Sequence, residues 1–193
     1  MRRLLLIVTL AMAGCATLAP PAGPVDWDQR RQELLGLDHW RMTGRVAVTV
    51  DGEGASASID WRQSGETADL AVSGPLGVGA LRAVLDGSGL LLEDGSGARV
   101  EGADAERLLA ERLGTDIPIR SLRYWMLGIP APGQPYAETR SADGRPAFLD
   151  QSGWRVQFGR FGPVPGGELP DRLSLVRDGA RLKLAVARWD LAP

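Results

Sequence analysis

The sequence predicts a mainly β domain, an antiparallel sheet of about 11 strands curled toward a barrel, with one helix before it and two in its middle. Three observations carry this. From Arg41 onward, apolar and polar residues alternate in segment after segment, the period of a strand with one wet face. Clusters of Gly and Asp punctuate these segments, as hairpins require. Two stretches, Asp104–Leu113 and Arg120–Leu127, break the alternation with helical spacing, and their place between two runs of strands sets them over one side of the sheet.

The chain of 193 residues fits one domain with a sizeable core, and its net charge is −2. No concentration of basic residues points to nucleic acid. One Cys and one His exclude a disulfide framework and a zinc cluster, and no cofactor or metal is expected.

Taken in order, Met1–Cys15 reads MRRLLLIVTLAMAGC. Arg2 and Arg3 form a positive start, and Leu4–Leu10 is an apolar run too short to span a bilayer. Ala13 and Gly14 then precede Cys15. The segment resembles a bacterial lipoprotein signal, with Met12 where that pattern prefers Leu. The resemblance implies a signal peptide over residues 1–14 and a mature chain starting at Cys15. That residue becomes an N-acyl diacylglyceryl cysteine, with chains such as palmitate holding it in the membrane. Residues 15–24 (CATLAPPAGP) form an Ala/Pro-rich tether that cannot bury a core face. Ala16 is not Asp, which in the sorting pattern weighs against retention at the inner membrane. Residues 25–193 are then a single domain.

Asp26–Leu37 reads as a helix with Trp27, Leu34 and Leu35 on one stripe. His39 follows it, with a structural role expected. Val46, Val48 and Val50 share one strand face, as do Ala55, Ala57, Ile59 and Trp61, with Asp51-Gly52-Glu53-Gly54 turning between them. Leu70 and Val72 continue the alternation into Ser73-Gly74-Pro75-Leu76-Gly77, where Pro75 presets a turn. A turn tip normally carries polar residues, and here it carries Leu76. Either Leu76 folds back on its own hairpin, or it leaves water for something outside the protein. Strands are expected at Val78–Asp86, Gly89–Glu93 and Ala98–Glu101. The glycine clusters between them lack any GK[ST] element and read as hairpin turns. After the two helices come strands at Tyr136–Arg140, Pro146–Gln151, Trp154–Phe158, Arg172–Arg177 and Arg181–Trp189. Carboxylate pairs such as Glu93 with Asp94 sit at turns and helix starts, where capping is the default, so no enzymatic role is expected.

Three segments together resemble the LolB family of outer-membrane lipoprotein receptors: Gly44 through the alternating strands to Trp61-Arg62-Gln63; Ser73-Gly74-Pro75-Leu76-Gly77; and the run from Ile117 to Pro130, IPIRSLRYWMLGIP. The resemblance covers essentially the whole chain. It implies an unclosed antiparallel β-barrel whose helices plug an apolar cavity. It also implies a lipid-anchored protein on the periplasmic side of the outer membrane, expected to be a monomer. Its partners would be a LolA-like periplasmic carrier, acylated lipoprotein cargo and outer-membrane lipid. Cargo would be accepted and inserted without nucleotide hydrolysis. The membrane-insertion step would fall to Leu76 on its turn with Pro75 and Gly77. Alternation and aromatic placement nominate a cavity wall of Val46, Val48, Ile59, Trp61, Leu70, Leu122, Trp125, Met126, Leu182 and Leu184, some of which must be ordinary core. The alternatives are an envelope lipoprotein of the same fold that binds another lipid, or one that docks a protein partner.

Overall fold

A computed structural model describes residues 26–74 and 79–191. Helix α1 (Trp27–Leu35) starts at Asp26, whose carboxylate accepts from the backbone N–H groups of Asp28 and Gln29 at 3.1 Å. Six strands follow: β1 (His39–Val50), β2 (Glu53–Ser64), β3 (Thr67–Ser73), β4 (Leu81–Asp86), β5 (Gly89–Asp94) and β6 (Arg99–Glu101). Then come α2 (Gly102–Leu113) and α3 (Ile119–Met126). The chain continues through β7 (Tyr136–Arg140), β8 (Pro146–Gln151), β9 (Trp154–Phe158), β10 (Phe161–Val164), β11 (Gly167–Pro170), β12 (Arg172–Arg177) and β13 (Ala180–Asp190).

Eleven strands form one antiparallel sheet in the order β6-β5-β4-β3-β2-β1-β13-β12-β9-β8-β7. Its ends, β6 and β7, do not pair with one another, so the barrel is open. The expected class holds. The sheet holds the expected eleven strands, and β10 and β11 add a separate hairpin where no strand is expected from the sequence. β4 also begins at Leu81 rather than Val78, because Gly79 takes φ +71°, outside the β region. Val78 itself lies outside the described residues.

The central seam joins the first strand to the last. Its register slips between Thr43 and Gly44: Thr43 faces Arg188, and Gly44 faces Val186. The bulge brings the backbones so close that a Cβ on Gly44 would lie 2.3 Å from the Ala185 carbonyl oxygen. Only a residue without a side chain fits there. Gly44→Ala should therefore cost about 1–3 kcal/mol as the seam spreads, read as an earlier midpoint in urea. An unmoved midpoint would mean that the bulge yields freely.

Helix α1 is tied by side chains to the edge strand β7, most of which is exposed. Arg31 on α1 donates to Glu138 at 2.5 Å and to the Tyr136 hydroxyl at 3.2 Å. Trp27, fully buried, meets Phe161 of β10 edge to face, ring centroids 5.3 Å apart. At the other end α2 packs on β5 and β6. On the outer face, cross-strand pairs such as Arg41 with Asp60 at 2.8 Å and Arg82 with Asp69 at 2.9 Å fix the register. Those hydrogen bonds hold the Asp60 and Asp69 carboxyls below the ordinary carboxylate range.

Candidate functional site

The inner face of the sheet encloses a cavity of about 730 Å³. That lies within the range of about 300–1,000 Å³ typical of small-molecule pockets. Why the space stays unfilled is visible in the pairing. Val48 stands opposite Ala55 and Val46 opposite Ala57 across β1 and β2, and Leu70 stands opposite Ala83 across β3 and β4. Each larger side chain thus meets a methyl, and the interior is left open between them. The wall is completed by Val50, Ile59, Val72, Leu81, Leu182 and Leu184 from the strands, Leu109 and Leu113 from α2, Ile117, and Ile119 and Leu122 from α3. Val46, Val48, Val72 and Leu81 are only half-buried, although they point inward. They keep apolar surface that no side chain covers.

Polar groups at the wall come mainly from the start of β2 and the last turn of α2: Glu53, Ser56, Glu111 and Arg112. Gly114 ends α2 in the left-handed region at φ +66°, and a Cβ there would meet the Val50 side chain at 2.8 Å. The helix end thus closes directly on the tip of β1. Gly74 and Gly79, which flank the β3–β4 connection, also line the cavity.

Of the ten residues nominated from sequence, Val46, Val48, Ile59, Leu70, Leu122, Leu182 and Leu184 stand in the wall. Trp61, Trp125 and Met126 do not. All three are fully enclosed in the core. Trp61 packs on Trp40 with ring centroids 5.3 Å apart, and its indole N–H donates to Gln63 Oε1 at 3.1 Å. Trp125 donates to Gln151 Oε1 at 2.8 Å. For Trp61 and Trp125 the physical reason is the indole N–H: a wall of methyl and methylene groups offers it no acceptor, and a buried Gln supplies one to each of these two. The sequence reading also missed Val50, Ala55, Ala57, Val72, Leu81, Ala83, Leu109, Leu113, Ile117 and Ile119. Strand alternation marks Val72 and Ala57, and the i,i+4 spacing of Leu109 and Leu113 marks α2. Cys15, Pro75, Leu76 and Gly77 lie outside the described residues.

His39 is exposed and its Nδ1 lies 2.7 Å from the neighbouring Asp38 carboxylate, away from any cavity-lining residue. The glycine-rich segments are hairpin turns closed by Asp. Ser96 N–H and hydroxyl both reach Asp94, and Ser88 does the same to Asp86. Those contacts, the serine hydroxyl first, hold both carboxyls low.

Comparison with known proteins gives three results. The family model described as Outer membrane lipoprotein LolB matches residues 38–189. The outer-membrane lipoprotein LolB of Halorhodospira halophila is 36% identical over 187 residues, 95% of this chain and 92% of the relative. Among solved structures, a DUF1329 family protein from Desulfovibrio piger aligns with a TM-score of 0.58 at 9% identity, covering 86% of this chain and 92% of that one. A LolA superfamily protein from Nitrosomonas europaea aligns with a TM-score of 0.56 at 12% identity, covering 86% and 93%. At those identities the structural matches concern the fold alone.

Proposed function

The chain belongs to the LolB family of outer-membrane lipoproteins, and on that premise we propose that it takes acylated lipoproteins from a soluble periplasmic carrier and sets them into the outer membrane. The observation that supports this reading best is the unfilled apolar cavity. An acyl chain exposed to water costs about 0.8 kcal/mol per CH₂ group. A cavity walled by valines, leucines and alanines gives such a chain a place that the core residues leave vacant. Covering a half-buried Val or Leu with cargo contributes part of the roughly 1.5–3 kcal/mol that full burial of such a side chain is worth.

The start of the sequence fits the same role. Acylation at Cys15 anchors the domain, and the tether over residues 16–24 lets it stand off the lipid. The mass of the mature protein reads that modification directly. With no nucleotide motif in the sequence, transfer runs downhill: carrier to cavity, cavity to bilayer. Leu76 is assigned to the second step.

The test is a transfer assay. A carrier loaded with labelled lipoprotein is mixed with this protein without ATP, and movement of label is followed. Acceptance is expected, and a protein that leaves the cargo on the carrier would overturn the reading. A wall variant sharpens the assay. Ala57→Trp places a large ring in the space opposite Val46 and should weaken binding of an environment-sensitive fatty acid together with acceptance of cargo. If acceptance persists while fatty-acid binding is lost, the cavity is not the cargo site.

A further inference from the structure

Outside the cavity, the outer face of the sheet carries a second organised surface. Successive rows across β1, β13, β12, β9 and β8 can be followed through the pairing. One row runs Ser73, Ser58, Arg45, Ala185, Arg172. The next runs Ala47, Lys183, Ser174, Gln157, Phe148. A third holds Thr49, Arg181, Val176 and Arg155. Arg45, Arg172, Arg181 and Lys183 are all exposed, and among the described residues none of their side chains has a hydrogen bond or ion pair. Neighbouring arginines behave differently: Arg41, Arg82 and Arg155 are each matched by an Asp on the adjacent strand. The acids that border the patch are engaged elsewhere: Asp171, beside Arg172 in the chain, by Arg160 at 2.6 Å, Asp60 by Arg41 at 2.8 Å, and Asp178 by Arg177 at 3.4 Å.

In a chain of net charge −2, four unmatched cations on one patch form a local positive field. Between Arg45, Arg172 and Lys183 lies a hollow of about 420 Å³ floored by Ala47, Ser174 and Ala185. Phe148 and Val176, two of the most exposed large apolar side chains among the described residues, stand on the same face. Basic groups interleaved with exposed apolar ones suit a lipid boundary, where phosphates and acyl chains lie within a few ångströms of one another.

We propose that this face docks the anchored domain on anionic phospholipid headgroups, with Arg45, Arg172, Arg181 and Lys183 engaging phosphates and Phe148 and Val176 entering the boundary beneath them. Two features make the bilayer the occupant rather than an acidic protein. The row of Arg45 and Arg172 ends at Ser73, the last residue of β3, so a bilayer docked on that row also lies beside the end of that strand. The tether from Cys15 to Asp26 spans at most about 35–40 Å, which keeps the domain within reach of the lipid surface. This argument rests on the anchorage proposed above and is independent of cargo acceptance.

The experiment uses the full acylated protein in vesicles. Because Cys15 is the only cysteine of the sequence and is acylated, Val176→Cys accepts an environment-sensitive dye at one place. Vesicles containing phosphatidylglycerol should shift the dye to an apolar signal, high salt should reverse it, and pure phosphatidylcholine should leave it wet. The same dye at Glu106→Cys on α2 should not respond. Each basic side chain near an anionic surface is worth about fivefold in the docked-to-free ratio, so Arg172→Glu with Lys183→Glu should lower it at least tenfold. An equal signal in both vesicle types, or one that charge reversal leaves unchanged, overturns the proposal. So does loss of acceptance from the carrier with the vesicle signal intact, which would assign the face to an acidic protein. Cargo acceptance is measured in the same preparation, so failure of docking and failure of the receptor reading are separate results.

Discussion

Gln151→Leu should destabilise the domain by about 3–5 kcal/mol, several times the usual effect of a point change. Gln151 is buried on β8, and one amide there serves four groups, the longest contact being from Nε2 to the part-buried Gln134 carbonyl at 3.4 Å. Its Oε1 accepts from the Trp125 indole N–H and from the Ala131 backbone N–H, both at 2.8 Å, and its Nε2 donates to the Ala131 carbonyl at 2.9 Å. Leucine is close in volume and would fill the space. It would also leave two donors and one acceptor without partners where water does not reach, each costing about 1–3 kcal/mol before any relaxation. Because Trp125 sits on α3, the damage should spread to the helix that supplies Ile119 and Leu122 to the cavity wall. Urea unfolding followed by tryptophan fluorescence measures the loss. A midpoint within the range of surface variants would show that Trp125 and Ala131 find other partners. Gln151→Glu keeps the acceptor but gives up the amide donor to Ala131 and buries a carboxylate, so it should fall between the two and worsen as pH rises through the range where that group ionises.

Trp125 also shows where the sequence stops being legible. Its spacing with Leu122 and Met126 says that it faces inward, and it does. Period alone does not tell an inward residue that fills the core from one that borders a void, because both give the same alternation. The difference lies in the size of the residue across the sheet. Val46 and Val48 face Ala57 and Ala55 and are left half-covered, whereas Trp61 is packed against Trp40. Alanines contribute little to an apolar pattern, so the residues that make the cavity were those least visible in it. The β10–β11 hairpin escaped for a related reason. Its strands are four residues long and contain Pro163 and Pro170, which remove ladder donors and read as loop. The long strands, the hairpin turns and the two central helices were readable because each is specified by its own neighbours. The cross-strand pairs were not: Arg41 and Asp60 are 19 positions apart and meet only once register is set.

The cavity and the β3–β4 connection divide the proposed work into receipt and delivery, and Leu76→Glu should separate the two. Leu76 lies in the connection whose flanking residues, Gly74 and Gly79, border the cavity. The sequence SGPLG presents a leucine where a turn normally presents a polar group. If the leucine enters the membrane as proposed, replacing it removes a contact worth about 1.5–3 kcal/mol, a factor of at least about ten in any step that depends on it. The carboxylate that takes its place is further opposed by anionic lipid. Stability should change by no more than about 0.5 kcal/mol, as for an ordinary surface substitution. The variant is therefore expected to fold, bind the carrier and take up lipoprotein at the normal rate, yet retain the cargo in the presence of liposomes. Leu76→Phe, which restores apolar surface, should deliver. Two measurements decide it: transfer of label from carrier to receptor, and transfer from receptor to vesicles. Delivery at the normal rate by Leu76→Glu would mean that the leucine covers its own hairpin and has no part in insertion. Loss of both steps together would place Leu76 in the cavity or at the carrier contact. Only loss of the second step alone fits a side chain that does nothing for the cargo until the bilayer is in reach.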